Sequence, residues 1–346
     1  MILRRTAGRK VAGSVAALAA ASLVLTSCSQ AEDAATSATD AASSAVATTT
    51  AEVVALTVED NYGTHTLNAP FERVAVTDNR SFEILSQWGV NIVAAPVPLV
   101  PKTLRDKINE DTVEANLGTH KEPDLEALVA ADPDIVINGQ RFERYQEDMQ
   151  TLVGKDIPVL DFEPRDGEDL PSELIRQTLA LGTIFNHEDD AQALVDDFNK
   201  ALERAKAAYD PSKTIMAVNT SGGEIGYIAP GKGRFFGPFF DMLGWKPSLE
   251  VAGGTNNHEG DDISVEAIAQ SNPDWIFIMD RDGAIGAKDG VLHGEALIKD
   301  NAALQNVTAV KQGNVVAAPE DTYTNENIIT YTEVLNAIAD AFESAK

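Results

Sequence analysis

The sequence predicts an α/β protein of two similar halves joined by a long helix. Three observations carry this: an internal repeat that aligns without a gap at an offset of 140 residues, a second strand-then-helix pair in the same order, and an amphipathic run of about 22 residues between the halves.

The chain starts with Arg4, Arg5, Arg9 and Lys10, followed by an apolar run from Val11 to Leu25. A basic stretch before a short apolar one is the pattern of a secretory leader, and this run is too short for a comfortable membrane span. It ends in Leu25-Thr26-Ser27-Cys28, with the only cysteine of the chain at the last position. That resembles a bacterial lipobox, which implies removal of residues 1–27 and a lipid on Cys28. Residues 28–51 are mostly Ala, Ser and Thr and read as a flexible tether. Val53 to Leu67 holds Asn61-Tyr62-Gly63 between extended segments and reads as a hairpin.

The repeat sets Asp124–Arg141 against Ser264–Arg281. Glu126/Glu266, Ala127/Ala267, Pro133/Pro273, Asp134/Asp274 and Arg141/Arg281 are identical pairs. Each copy reads as a short helix, a turn at Pro-Asp, a buried strand, and an arginine just past it. Arg73–Thr77 and Lys213–Asn219 read as strands, followed by helices at Phe82–Trp88 and Phe239–Leu243 that stop at Gly89 and Gly244. Between the halves, Ala191, Leu194, Val195, Phe198, Ala201, Leu202, Ala205 and Ala208 make one stripe of a helix over 188–209. Glu188, Asp189 and Asp190 suit the positive end of its dipole. A closing helix is expected over 325–342. The expected divisions are thus 52–168, a helical link over 169–210, and 211–346.

With 346 residues and 44% hydrophobic composition, the chain can build real cores. Its 54 acidic residues against 27 basic ones give a net charge of −27, which excludes broad nucleic-acid binding. The leader holds four bases and no acid, so its loss would deepen the imbalance. One cysteine excludes an internal disulfide and a multi-thiolate zinc site. No Gly-x-Ser-x-Gly, His-Glu-x-x-His or phosphate-cradling glycine loop points to an enzyme. The five histidines are scattered, against a bare-metal site.

Ligands of open α/β sheets bind beyond the carboxyl ends of the strands, where Arg141 and Arg281 are expected, one per half. Arg234, in Gly231-Lys-Gly-Arg-Phe-Phe, lies in a flexible insertion ahead of a helix. Guanidinium groups gathered in one cleft repel each other unless an anion joins them, and guanidinium suits planar oxygen donors. Arg80 follows a strand and is a further candidate for the cleft. Phe235, Phe236, Phe239 and Phe240 read as packing, with Phe235 placed to stack on Arg234; Trp88 and Trp245 read as core.

The chain from about Val53 onward resembles the lipid-anchored binding proteins of bacterial ABC importers for ferric siderophores, particularly the catecholate branch. The resemblance rests on the lipobox at Cys28, Gly118-Thr-His-Lys-Glu-Pro-Asp-Leu-Glu126, Pro133-Asp-Ile-Val-Ile-Asn-Gly-Gln-Arg141, Gly233-Arg-Phe-Phe-Gly-Pro-Phe-Phe-Asp-Met-Leu-Gly244 and Trp275-Ile-Phe-Ile-Met-Asp-Arg281. It implies two Rossmann-like lobes joined by a single long helix with the ligand cleft between them. It implies that Arg141, Arg234 and Arg281 face an anionic ferric complex, and that His258 and Tyr323 complete the iron shell where a siderophore leaves positions open. Glu259 stands where the family has glycine after that histidine. Glu126 and Glu266 match the glutamates, one per lobe, that meet the permease; as helix-start carboxylates they also suit the dipole. The implied protein is non-catalytic, extracytoplasmic, monomeric and free of cofactor, with the ferric siderophore as transported ligand. Haem or cobalamin on the same scaffold is the alternative cargo.

Overall fold

The computed structural model of the chain describes residues 54–345; the expected leader, tether and Cys28 lie outside them. Strands β1 (Val54–Asp60) and β2 (Gly63–Ala69) form the expected hairpin. The Asp60 carboxylate accepts from the amides of Tyr62 and Gly63 at 2.8 and 3.0 Å, fixing the turn.

The N-terminal half follows as β3 (Val74–Val76), α1 (Phe82–Gln87), β4 (Ile92–Ala95), β5 (Ala115–Asn116), the small hairpin β6 (Gly118–Thr119) and β7 (Glu122–Pro123), α2 (Leu125–Ala130), β8 (Ile135–Asn138), α3 (Gln146–Val153) and β9 (Val159–Asp161). Its sheet is parallel in the order β5-β4-β3-β8-β9. Counted along the chain, that is a doubly wound order reversing between β3 and β8. The strands β3, β4, β8 and β9 are buried throughout, which explains their aliphatic make-up up to the polar ends of β8 and β9 at Asn138 and Asp161.

The link holds two helices. α4 (Leu170–Phe185) ends at Asn186, which adopts a left-handed φ of 56°. α5 (Glu188–Ala208) is the long helix expected over 188–209, and its buried face is the expected stripe with Leu194 at its margin. Because α4 packs on α5 and on β1 while α5 packs on the closing helix, α5 does not make the crossing alone.

The C-terminal half follows as β10 (Thr214–Ser221), β11 (Glu224–Tyr227), α6 (Phe239–Leu243), β12 (Lys246–Pro247), α7 (Val265–Ser271), β13 (Trp275–Asp280), α8 (Arg281–Ile285), α9 (Gly294–Lys299), α10 (Thr308–Gln312), β14 (Val315–Ala317) and α11 (Ile328–Ser344). The sheet runs β11-β10-β13-β14, with β12 also on β10; β10, β13 and β14 are parallel and β11 is antiparallel. One apolar core spans both halves from Val58 to Phe342, centred in the C-terminal half on Trp245, Phe277 and Phe342.

The repeat has a physical basis. Asp124 caps α2 by accepting from Ala127, and Ser264 caps α7 by accepting from Ala267. The Pro-Asp turns act on the neighbouring strand: Asp134 accepts from the Glu72 and Arg73 amides just before β3, and Asp274 accepts from the Thr214 amide that opens β10.

Candidate functional site

The carboxyl ends of β8 and β13 deliver Arg141 and Arg281 to one cavity of about 400 Å³, which Arg234, His258 and Tyr323 also line. Arg141 sits in the turn after β8, next to Gln140 with a left-handed φ of 48°; Arg281 opens α8. Arg234 lies on a tight loop whose glycines are required by close approach, since a Cβ on Gly237 would stand 2.1 Å from the Gly233 carbonyl oxygen. Phe235, following it, is held at φ 59°, a conformation that costs a non-glycine residue about 1–3 kcal/mol.

Tyr323 is the hub. The Arg234 guanidinium lies 4.1 Å over its ring and donates from Nη2 to its carbonyl oxygen at 2.8 Å. Arg281 donates from Nε to the Tyr323 hydroxyl at 3.3 Å and from Nη1 to Ser221 Oγ at 2.9 Å. Arg141 lines the same cavity beside Tyr323; burial, then the nearby Arg234 charge, lowers its pKa. Arg234 shifts the other way: burial lowers its pKa, but Glu326 and Tyr323 outweigh that and raise it.

Beneath the cavity lies a buried ionic network. Glu326 accepts from Arg234 Nε at 2.5 Å and from Arg80 Nη2 at 3.2 Å, and Arg80 Nη1 donates to Glu163 at 2.5 Å. Asp161, fully buried, has one carboxylate oxygen with no hydrogen-bond partner, and burial pushes its pKa up to about 7 from 3.8. A carboxyl whose pKa is raised by folding contributes stability that is full below its unfolded value and is lost as pH rises through the folded one. Folding stability should therefore fall between pH 5 and 8, and Asp161→Asn should flatten that fall by roughly 2–3 kcal/mol. Denaturant titrations at the two pH values check this; parallel loss in both proteins would rule it out.

Residues 74–322 match the family described as periplasmic binding protein. The chain belongs to that family. Among its relatives, the ferric-anguibactin-binding protein FatB of Vibrio anguillarum is 28% identical over 84% of this chain and 88% of its own length. The petrobactin-binding protein YclQ of Bacillus subtilis is 26% identical over 82% and 86%. The crystal structure of YclQ superposes with a TM-score of 0.70, covering 84% of this chain and 99% of that one at 23% identity. The catecholate-siderophore binding protein VctP of Vibrio cholerae gives 0.71, covering 83% and 100% at 20% identity, which speaks to the fold. These relatives are binding proteins rather than enzymes, in line with the non-catalytic reading. No helix among the described residues is long and apolar enough to cross a membrane.

In this periplasmic binding protein, five of the sequence-derived residues, Arg141, Arg234, Arg281, Tyr323 and His258, share the cavity. His258 has an exposed side chain (58%) whose Nε2 lies 3.9 Å from Glu259, so it sits at the rim. Glu126 and Glu266 are exposed, each the second residue of its helix, and neither makes an ion pair among the described residues. Two expectations need correction. Arg80 does not reach the cleft, because Glu163 and Glu326 hold it buried below. Phe235 does not stack on Arg234: its ring is buried against Tyr331, at 4.5 Å between centroids, and Tyr323 takes the guanidinium. Trp245 is core as expected, whereas Trp88 is half-buried and stacks on His187. Sequence reasoning missed Lys102, Arg105, His120 and Lys121, which also line the cavity. The one available signal was His120-Lys121 inside the Gly118–Glu126 motif; Lys102 and Arg105 have no counterpart in the repeat.

Proposed function

We propose that this protein captures a ferric siderophore of the catecholate type outside the cytoplasm and delivers it to an ABC permease. The observation that carries the reading is the gathering of Arg141, Arg234 and Arg281 from both halves around Tyr323, in a cavity without a lining carboxylate, on a chain of net charge −27. Catecholate oxygens bear the negative charge of such complexes, and guanidinium groups recognise them by charge, by directed N–H donors and by stacking. The names of FatB and YclQ, which bind ferric anguibactin and petrobactin, support a siderophore as cargo. Tyr323 and His258 are the side chains that would coordinate iron if the siderophore left positions open.

The proposed protein is a monomer anchored through a lipid on Cys28, with 1–27 as leader, 28–51 as tether, 52–168 and 211–346 as lobes, and 169–210 as the link. Glu126 and Glu266, at matching places on the two lobes, are the proposed permease contacts. Charge reversal of both should abolish siderophore uptake by cells and leave binding by the purified protein unchanged; normal uptake would remove that role. Loss of membrane attachment in Cys28→Ser would test the anchor in the same cells.

The cargo is tested by intrinsic fluorescence titration with ferric tris-catecholate, bis-catecholate and hydroxamate complexes and with haem. Quenching by the catecholates is expected. No binding of any catecholate, or a Soret shift with haem alone, would overturn the assignment.

A further inference from the structure

The cations of the cleft are unevenly compensated. Both arginines of the C-terminal half have a carboxylate neighbour: Arg234 has Glu326 at 2.5 Å, and Arg281 has Glu259 at 3.6 Å. On the N-terminal half, Lys102 donates to the Gly283 carbonyl oxygen at 2.6 Å and Arg105 to that of Val100 at 3.3 Å, while Lys121 and Arg141 reach no carboxylate. None of these four forms an ion pair among the described residues. His120 sits among them with its Nδ1 buried and unpartnered; burial first, and then the charges of Arg141, Arg144 and Lys121, lower its pKa. Beside its polar residues, the C-terminal half also lines the cavity with the apolar Ala284 and Ile285, the latter 49% exposed.

A ferric tris-catecholate carries three net negative charges, from three dianionic ligands on a trivalent ion. Arg234 and Arg281 already face Glu326 and Glu259, so the cations without an ion pair, Arg141, Lys102, Arg105 and Lys121, exceed that number by one, and Lys102, Arg105 and Lys121 are exposed at the rim. A lysine ammonium is a compact point charge suited to a peripheral carboxylate, and complementary charge of this kind sets specificity and orientation more than raw affinity. Resting on the catecholate reading above, we propose that the cleft selects a ferric chelate bearing carboxylates that do not bind the iron, turned toward Lys102, Arg105 and Lys121, with its uncharged edge against Ile285.

The test compares two complexes of nearly one shape: iron(III) with excess 2,3-dihydroxybenzoate and iron(III) with excess N-methyl-2,3-dihydroxybenzamide, both as tris-catecholates at pH 8. They differ in the free carboxylates. The carboxylate-bearing complex should bind the wild-type protein at least tenfold more tightly. That preference, read as the ratio of the two affinities, should vanish in the Lys102→Ala/Arg105→Ala/Lys121→Ala variant. Equal affinities in the wild type, or a preference that survives the triple substitution, would overturn this proposal and leave the catecholate reading standing. Failure of both complexes to bind would overturn the catecholate reading and this proposal with it.

Discussion

The double substitution Arg141→Ala/Arg281→Ala is expected to weaken binding of a ferric tris-catecholate by about 10²–10⁴-fold, and to leave a neutral ferric hydroxamate within about threefold of its starting affinity. A guanidinium about 6 Å from a unit of negative charge contributes roughly 3 kcal/mol at an effective dielectric near 20, before desolvation is subtracted. Half of that surviving for each side chain gives about 1.4 kcal/mol, a factor of ten, and full survival gives about a hundredfold. Both residues stand at the carboxyl ends of their strands, and neither carries the fold: among the described residues Arg281 donates only to Ser221 and the Tyr323 hydroxyl, and Arg141 lines the cavity without an ion pair. Replacement should therefore remove two of the cavity's positive charges without opening the core. Isothermal titration of both complexes against the variant decides it. Retention of tris-catecholate affinity within threefold would mean that these two guanidinium groups do not face the cargo.

Much of this site could be read before any coordinates, for a reason specific to the chain. The repeat places Arg141 and Arg281 at equal distance past equal strands, and the caps at Asp124 and Ser264 and the Pro-Asp turns act locally, within a few residues or on the adjoining strand. Local constraints leave local signatures. Arg80 shows the opposite case. Its partners Glu163 and Glu326 lie 83 and 246 residues away, and no periodicity links them. A charged residue after a strand looks alike in sequence whether it meets solvent, cargo or a buried carboxylate. The same applies to Lys102 and Arg105: only the tertiary fold brings the segment around 98–105 over the C-terminal half, where Thr103 bonds Asp321 and Lys102 bonds Gly283.

Glu326→Ala is expected to cost about 3–5 kcal/mol of folding stability, which lowers the melting temperature by roughly 6–12 °C. The Glu326 side chain is 6% exposed and accepts from two guanidinium groups, Arg234 on the C-terminal half and Arg80 on the N-terminal half, while its own carbonyl oxygen accepts from Arg80 Nε at 3.0 Å. Removing one carboxylate leaves two largely buried positive charges beside each other, with Glu163 as the remaining ion-pair partner of Arg80. That uncompensated charge, rather than the lost attraction itself, sets the size of the effect. Glu326→Gln, which keeps the shape and can still accept hydrogen bonds but lacks the charge, should fall between the two. A merely structural role would show only in the melting temperature; the cleft chemistry predicts a second readout. Because an anionic cargo would supply the charge that Arg234 has lost, the rise in melting temperature on adding ferric catecholate should be larger in Glu326→Ala than in the wild type. A variant that melts within 2 °C of the wild type would show that the pair of arginines does not depend on this carboxylate. A destabilised variant without the enlarged rescue would show that Arg234 serves the fold and not the cargo.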